Sequence, residues 1–242
     1  MITTMNSVTG RLLCVILAVG IFSCKNDIIS SSIINESAFT ESQSGWQLNV
    51  VDYDTLTGRD SLKLNSQIAS FPSPLPTSGK ALMVRSNNYG PSLFTFLTKK
   101  ITGLQPGQTY AFHLEADLIT RYPKNDSAAF VVSPESTLFL KAAVTNNQPQ
   151  VKLNGAKVDL NLDKGTFGKP GNDFMLISES SFPTDTVYTI KQFKNTAESF
   201  ILTPDSDGNV WVCIGTETAF KGQTQVYYDR IKINIQARDS ND

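Results

Sequence analysis

The sequence predicts an all-β domain, a two-sheet antiparallel jelly-roll β-sandwich of about ten strands, and three observations carry that expectation. From Phe39 onward no stretch keeps a 3.6-residue hydrophobic period, whereas short runs of β-favouring residues recur between Gly, Pro, Asn and Asp. Ten runs read as strands: Gly45 to Tyr53, Ala81 to Ser86, Leu93 to Ile101, Thr109 to Ile119, Thr137 to Thr145, Phe174 to Ile177, Val187 to Phe193, Ser199 to Leu202, Val210 to Gly215 and Gln225 to Ile235. Finally, a chain of 242 residues leaves room for one sizeable core after an N-terminal segment is removed.

That segment is RLLCVILAVGIFSCKND, in which Arg11 precedes an apolar run from Leu12 to Phe22, then Ser23 and Cys24. The run is about a dozen residues against the roughly 20 of a membrane-spanning helix, so residues 1–23 read as a cleaved signal peptide. Ile21-Phe22-Ser23-Cys24 resembles the lipobox of bacterial lipoproteins, with Phe22 a departure from its pattern. The resemblance implies a thiol diacylated at Cys24 and a mature chain beginning there. Its acyl chains hold the protein on a bilayer at about 0.8 kcal/mol per buried methylene. The net charge of −1, with acids and bases mixed, excludes a basic stripe for nucleic acid and a polybasic membrane patch, so membrane attachment rests on Cys24. With Cys14 lost and Cys24 blocked, Cys213 is left unpaired and reads as a small buried hydrophobe.

Residues 24–38 are polar and rich in Ser and Asn, a flexible tether ahead of the domain at residues 39–238. The Lys-Asn-Asp after the cysteine resembles the starts of Bacteroidetes-type lipoproteins, which implies the cell envelope and the outer membrane. Further along, FPSPLP blocks regular pairing and runs extended over the surface. ITGLQPGQTY reads as a tight antiparallel connection, with Pro106 fixing φ and Gly107 accepting a positive one. PDSDGN is another turn, whose Asp205 and Asp207 are turn formers before they are calcium ligands.

Phe39-Thr40-Glu41 ahead of Gly45-Trp46, the LQPGQTY turn and the closing VYYDRIKINI together resemble the galactose-binding-like jelly rolls that serve as carbohydrate-binding modules. NLDKGTFGKPGND and VWVCIGTETAFKGQTQVYYDRIKI are similar to uncharacterised bacterial surface lipoproteins. The first resemblance implies a structural calcium between an acidic residue near the first strand and an Asp on the last, here Glu41 and Asp229. Alternation along the last strand places Tyr227, Asp229, Ile231, Ile233 and Ile235 on one inward face. A buried Asp229 then requires a cation, a basic partner or several N–H donors.

In FHLEADLIT, alternation sets Tyr110, Phe112, Leu114, Ala116 and Leu118 on one face and His113, Glu115 and Asp117 on the other. The spacing of Glu115 and Asp117 resembles the E-x-D-x-x-E strand of laminarinase- and lichenase-type glycoside hydrolases, whose mechanism needs two carboxyl groups flanking the bond. Thr120 stands where the acid/base would be, so half the chemistry is missing. The alternatives for this face are a solvated polar surface and a His/Glu/Asp metal site. No G-x-S-x-G elbow, phosphate loop, Cys-x-x-Cys pair or His-Glu-x-x-His occurs, and His113 is the single histidine.

The expectation is therefore a non-enzymatic envelope lipoprotein displaying a jelly-roll domain, open between a glycan-binding module and a structural envelope protein that needs no ligand, with the polysaccharide hydrolase as the alternative. Phe167 in DKGTFGKPGND and Tyr89 in SNNYGPS are candidate sugar-stacking rings, alongside His113, Glu115 and Asp117. Replacing Cys24 with Ala is expected to abolish metabolic palmitate labelling. Retained label and membrane association in that variant would overturn the lipobox reading.

Overall fold

The computed structural model describes residues 32–75, 77–121, 137–181, 188–195 and 199–238. Fifteen strands occur among them: β1 Ser32–Ser37, β2 Gln47–Val51, β3 Tyr53–Asp54, β4 Asn65–Ser70, β5 Lys80–Asn88, β6 Leu93–Ile101, β7 Tyr110–Thr120, β8 Thr137–Thr145, β9 Val151–Asn154, β10 Lys157–Leu160, β11 Met175–Ser181, β12 Thr189–Lys194, β13 Phe200–Leu202, β14 Val210–Thr218 and β15 Gly222–Ala237. Each run read from the sequence has its counterpart, and β1, β4, β9 and β10 are additional. These four are polar or very short, so they lack the apolar alternation by which strands are recognised.

Two antiparallel sheets form the sandwich. One runs β12-β7-β15-β5-β4, with β1 also paired to β15 and β13 to β7, making seven strands; the other runs β11-β8-β14-β6-β2. Between them lies the main core, in which Leu82, Phe112, Leu114, Leu118, Ile231 and Ile233 meet Leu97, Leu140, Val212 and Ile214. The alternation expected along β7 holds, with Phe112, Leu114, Ala116 and Leu118 buried and His113, Glu115 and Asp117 on the opposite face.

β1 corrects the expected tether at its C-terminal end, while residues 24–31 lie outside the described residues. The chain from Ser32 onward is already part of the sheet, with Ser37 opposite Ile231 of β15. Ser37 Oγ accepts a hydrogen bond from the buried Trp46 indole at 3.1 Å, and Lys99 Nζ donates to Asn35 Oδ1 and Ser37 Oγ. The expected tight turn at ITGLQPGQTY is corrected as well, because β6 and β7 belong to different sheets and the segment crosses between them. Leu104 N–H donates to Gly208 O, an approach so close that a Cβ on Gly208 would lie 2.0 Å from Leu104 O. Asp205 forms the facing turn as expected, accepting from the backbone of Asp207 and Asn209.

A third layer covers the outer face of the five-stranded sheet. It consists of the small sheet β3-β10-β9 and the loop from Asn161 to Phe174. Val158, Leu160, Leu162 and Phe174 pack on Val51, Phe94, Phe96, Ala143 and Cys213. Both faces of that sheet are therefore buried, which is why β6 and β14 read as nearly unbroken buried runs. Cys213 is fully enclosed there, and burial pushes its thiol far up, away from the reactive thiolate.

Beneath the third layer runs a chain of buried charges. Lys141 Nζ lies 2.9 Å from Glu217 Oε2, Lys164 Nζ lies 3.1 Å from Glu217 Oε1 and 2.7 Å from Asp52 Oδ2, and both Lys141 and Glu217 are fully buried. Lys141 also donates to the carbonyls of Lys164 and Thr166, and Glu217 accepts from Gly168 N–H. Burial pulls the Lys141 ammonium below its usual range, with Glu217 opposing it. Burial acts the same way on Lys164, but Asp52 and Glu217 outweigh it and hold that ammonium up. Breaking such a network leaves uncompensated buried charge, so Glu217→Ala is expected to cost about 3–5 kcal/mol of unfolding free energy in urea titration. A loss below about 1 kcal/mol would show that the layer does not depend on these pairs.

Candidate functional site: the outer face of the seven-stranded sheet

The seven-stranded sheet turns its other face outward, covered in part by Tyr188 and the segment from Phe71 to Leu75. β5 reads Lys-Ala-Leu-Met-Val-Arg-Ser-Asn-Asn; Leu82 and Val84 point into the core, so Ala81, Met83, Arg85 and Asn87 point out. Asn65 of β4 and Gln225 of β15 lie directly opposite Arg85 on either side. The next level holds Met83, Tyr227 and Ile119, which form an apolar band with Ala81 and Tyr188, capped by Ala69, Phe71 and Leu75. Tyr188 and Tyr227 meet edge-on with centroids 5.9 Å apart, and the Arg121 guanidinium lies 4.9 Å over the Tyr188 ring. Phe71 belongs to FPSPLP, and its N–H donates to Gly79 O, which folds that segment over the band.

Beyond the band lie the ionisable residues singled out from the sequence. Asp117 faces Arg230 and Glu115 faces Lys232 across the β7–β15 pairing, with His113 opposite Asn234. Arg230 Nε donates to Asp117 Oδ2 at 2.8 Å, while Nη2 lies 3.6 Å from Glu115 and Nη1 3.9 Å from Glu36. These carboxylates, Asp117 foremost, raise the Arg230 guanidinium further above its already high range. Thr120 sits on the core side, 2% exposed, with its hydroxyl donating to Gln225 O. It cannot face the same space as Glu115.

The inward placement of Asp229 is corrected. The β7–β15 register shifts between Tyr228 and Arg230, so Asp229 is a bulge residue and the parity of β15 changes there. Val226, Tyr228, Ile231, Ile233 and Ile235 face the core, whereas Tyr227 joins the outer band and Asp229 is half-buried at the kink. Glu41 lies exposed in the bend before β2. Among the described residues no three His, Cys, Asp or Glu side chains gather as a metal site would need.

Tyr89, 56% exposed, follows β5, and its hydroxyl accepts from Asn87 Nδ2 at 3.4 Å, which places the ring at the Arg85 end of the face. Phe167 lies elsewhere, edge-on to Phe139 at 5.0 Å in the third layer, and does not join the others. A polar cleft of about 410 Å³ opens near that layer, lined by Asp52, Lys157, Asp159, Asp163 and Lys164 among others. Its acids are internally engaged. The Asp52 oxygens sit 3.1 and 2.7 Å from Lys157 and Lys164, and Asp163 accepts from Gly165 N, Asn172 N and Asn172 Nδ2.

The outer face differs in this respect. Arg85 Nε, Asn87 Oδ1 and Asp117 Oδ1 are buried there without a hydrogen-bond partner. Such atoms are rare because each costs roughly 1–3 kcal/mol. Arg85 had a signal in the sequence, since alternation along the expected strand from Ala81 to Ser86 already separates it from Leu82 and Val84, whereas Asn87 lies beyond that strand's expected end. Guanidinium and amide groups beside an exposed ring supply the planar hydrogen bonding and apolar surface that suit a polyhydroxylated ligand.

No protein-family model matches the chain, and no curated protein matches it. Solved structures similar to it include TmCBM27, a carbohydrate-binding module of specific mannan recognition, at 9% identity over 87% of this chain and 100% of that one, with a TM-score of 0.36. TmCBM61 in complex with β-1,4-galactotriose is 8% identical over 77% of this chain and 86% of that one, with a TM-score of 0.35. The enzymatically active domain of bacteriophage CBA120 tailspike protein 4 is 11% identical over 81% of this chain, with a TM-score of 0.36; this chain spans 20% of its length.

Burial, then the charge of Asp117, pushes the Asp229 carboxyl above its ordinary range, with Arg230 opposing. A carboxyl raised in the folded state favours folding below its unfolded value of about 3.9 and loses that contribution as pH rises through the folded value. Asp229→Asn is therefore expected to raise the melting temperature at pH 7, with the gain shrinking below about pH 4. A lower melting temperature at pH 7, together with loss of a calcium-dependent rise present in the wild type, would instead show calcium ligation with Glu41.

Proposed function

We propose that this protein is a non-catalytic glycan-binding module, lipid-anchored through Cys24 to the outer membrane of a bacterial envelope, that holds polysaccharide on the outer face of its seven-stranded sheet. The observation that carries this reading is the pair of unpartnered atoms on Arg85 and Asn87 beside the exposed ring of Tyr89. Sugar hydroxyls donate and accept, so they suit the guanidinium of Arg85 and the amide of Asn87, and a ring offers a flat apolar surface to the sugar's C–H groups. The lipobox-like Ile21-Phe22-Ser23-Cys24 supports the anchor. Glu115 and Asp117 serve here as counter-ions to Arg230, and Thr120, turned into the core, leaves Glu115 without an acid/base partner at that position.

Affinity electrophoresis of the mature protein in gels containing laminarin, lichenan, agarose, carrageenan, alginate or polygalacturonate is expected to show retardation by at least one polymer. Tyr89→Ala is expected to weaken that retardation about threefold to tenfold, the equivalent of ~0.6–1.4 kcal/mol. No new reducing ends are expected. Mobility unchanged in every gel would overturn the binding reading, and reducing ends that vanish in Glu115→Gln would restore the hydrolase.

A further inference from the structure

The two arginines of β5 and β15 on the outer face are in opposite electrostatic situations. Arg230 has three carboxylates within 4 Å. Arg85 has no ion pair and no hydrogen bond among the described residues, and its Nε is sealed from solvent. Its cross-strand neighbours, Asn65 and Gln225, are neutral amides, and along its own strand on the same face stand Met83 and Asn87.

A guanidinium keeps its charge at any physiological pH, and burying part of one without a counter-ion is costly. A second uncompensated cation lies nearby. Thr120 is opposite Val226, so Arg121 follows at the level of Gln225, across β15 from Arg85. Two strand spacings of about 4.8 Å separate their backbones. Arg121 is exposed and held over the Tyr188 ring, and it too has no carboxylate partner among the described residues. The acids of this face, Glu36, Glu115, Asp117 and Asp229, gather around Arg230 beyond the apolar band. The face is thus divided: a self-neutralised end at Arg230, and a cationic end at Arg85 and Arg121 bordered by amides and Tyr89.

We infer that the glycan held on this face is an anionic one, whose carboxylate or sulfate is received by the Arg85 fork with Arg121 supplying the second positive charge. This rests on the glycan-binding reading and narrows it. The terminal Nη1 and Nη2 groups present parallel N–H donors that match a two-oxygen anion, a geometry an ammonium cannot reproduce. Asn65, Asn87 and Gln225 lie where the neighbouring sugar hydroxyls would be read.

The test is titration of the mature protein by calorimetry and affinity gel with alginate and polygalacturonate, which carry carboxylates, with carrageenan, which carries sulfates, and with neutral laminarin, lichenan and agarose. Binding to at least one anionic polymer is expected, weakening as sodium chloride rises. Arg85→Gln is expected to lower that affinity about ten- to hundredfold, and Arg85→Lys to restore only part of it. Lys152→Gln, in the third layer, is expected to change nothing. Folding is checked by melting temperature, which neither Arg85 variant is expected to lower. Carboxylate-only or sulfate-only binding each supports the inference and names the anion. Binding of neutral polymers that ignores both salt and Arg85 overturns it while leaving the glycan-binding reading standing, and binding of none overturns both.

Discussion

The outer layer of this molecule depends on Glu217. Its carboxylate is the one group that touches the ammonium of Lys141 from β8, the ammonium of Lys164 from the loop and the backbone of Gly168 at once. The loop from Asn161 to Phe174 is thereby fixed over β8 and β14 of the five-stranded sheet. Lys164 then reaches Asp52, which is held at φ 71 between β2 and β3, so the small sheet is attached to the same chain of charges. Burying four ions is costly unless every one is paired, and here the pairing is what makes the third layer geometrically specific. A purely apolar contact between Phe174 and Phe94 would leave the loop freer to slide.

The consequence for function is a division of labour between the two outer faces. Over the five-stranded sheet the chain answers its own polar groups: lysines meet carboxylates, and Asp163 is bound by the loop's own N–H groups, which hold its carboxyl below the usual range. Over the seven-stranded sheet the answer is incomplete. Arg85, Asn87 and Asp117 each carry an atom the described chain does not satisfy. Buried polar atoms of this kind are completed by ordered water, an ion or a polar ligand.

The bulge at Asp229 sets where that incomplete face begins. One extra residue changes which side of β15 each later residue occupies, so Tyr227 and Arg230, three apart, share the outer face. Without the bulge Arg230 would still face outward, but the strand would carry Tyr227 inward alongside Ile231. Placing Tyr228 in the core instead fills the space beside Leu82 and Val226.

The amino-acid sequence by itself determined the all-β class, the positions of ten strands and the two faces of β7, because an uninterrupted strand obeys a strict two-residue alternation that needs no knowledge of its neighbours. It also determined that Cys213 is buried and that Asp205 makes a turn, both local properties. Tertiary structure decided the rest. The parity of β15 depends on a bulge that is settled by pairing with β5 and β7, β1 becomes a strand only because β15 offers it an edge, and the ion chain joins residues 52, 141, 164 and 217 that no spacing rule connects. Whether Arg85 has a partner is settled by which strands flank β5, and those are Asn65 and Gln225 from chain segments 20 and 140 residues away. Alternation is a property of one strand, whereas compensation of charge is a property of the strands beside it.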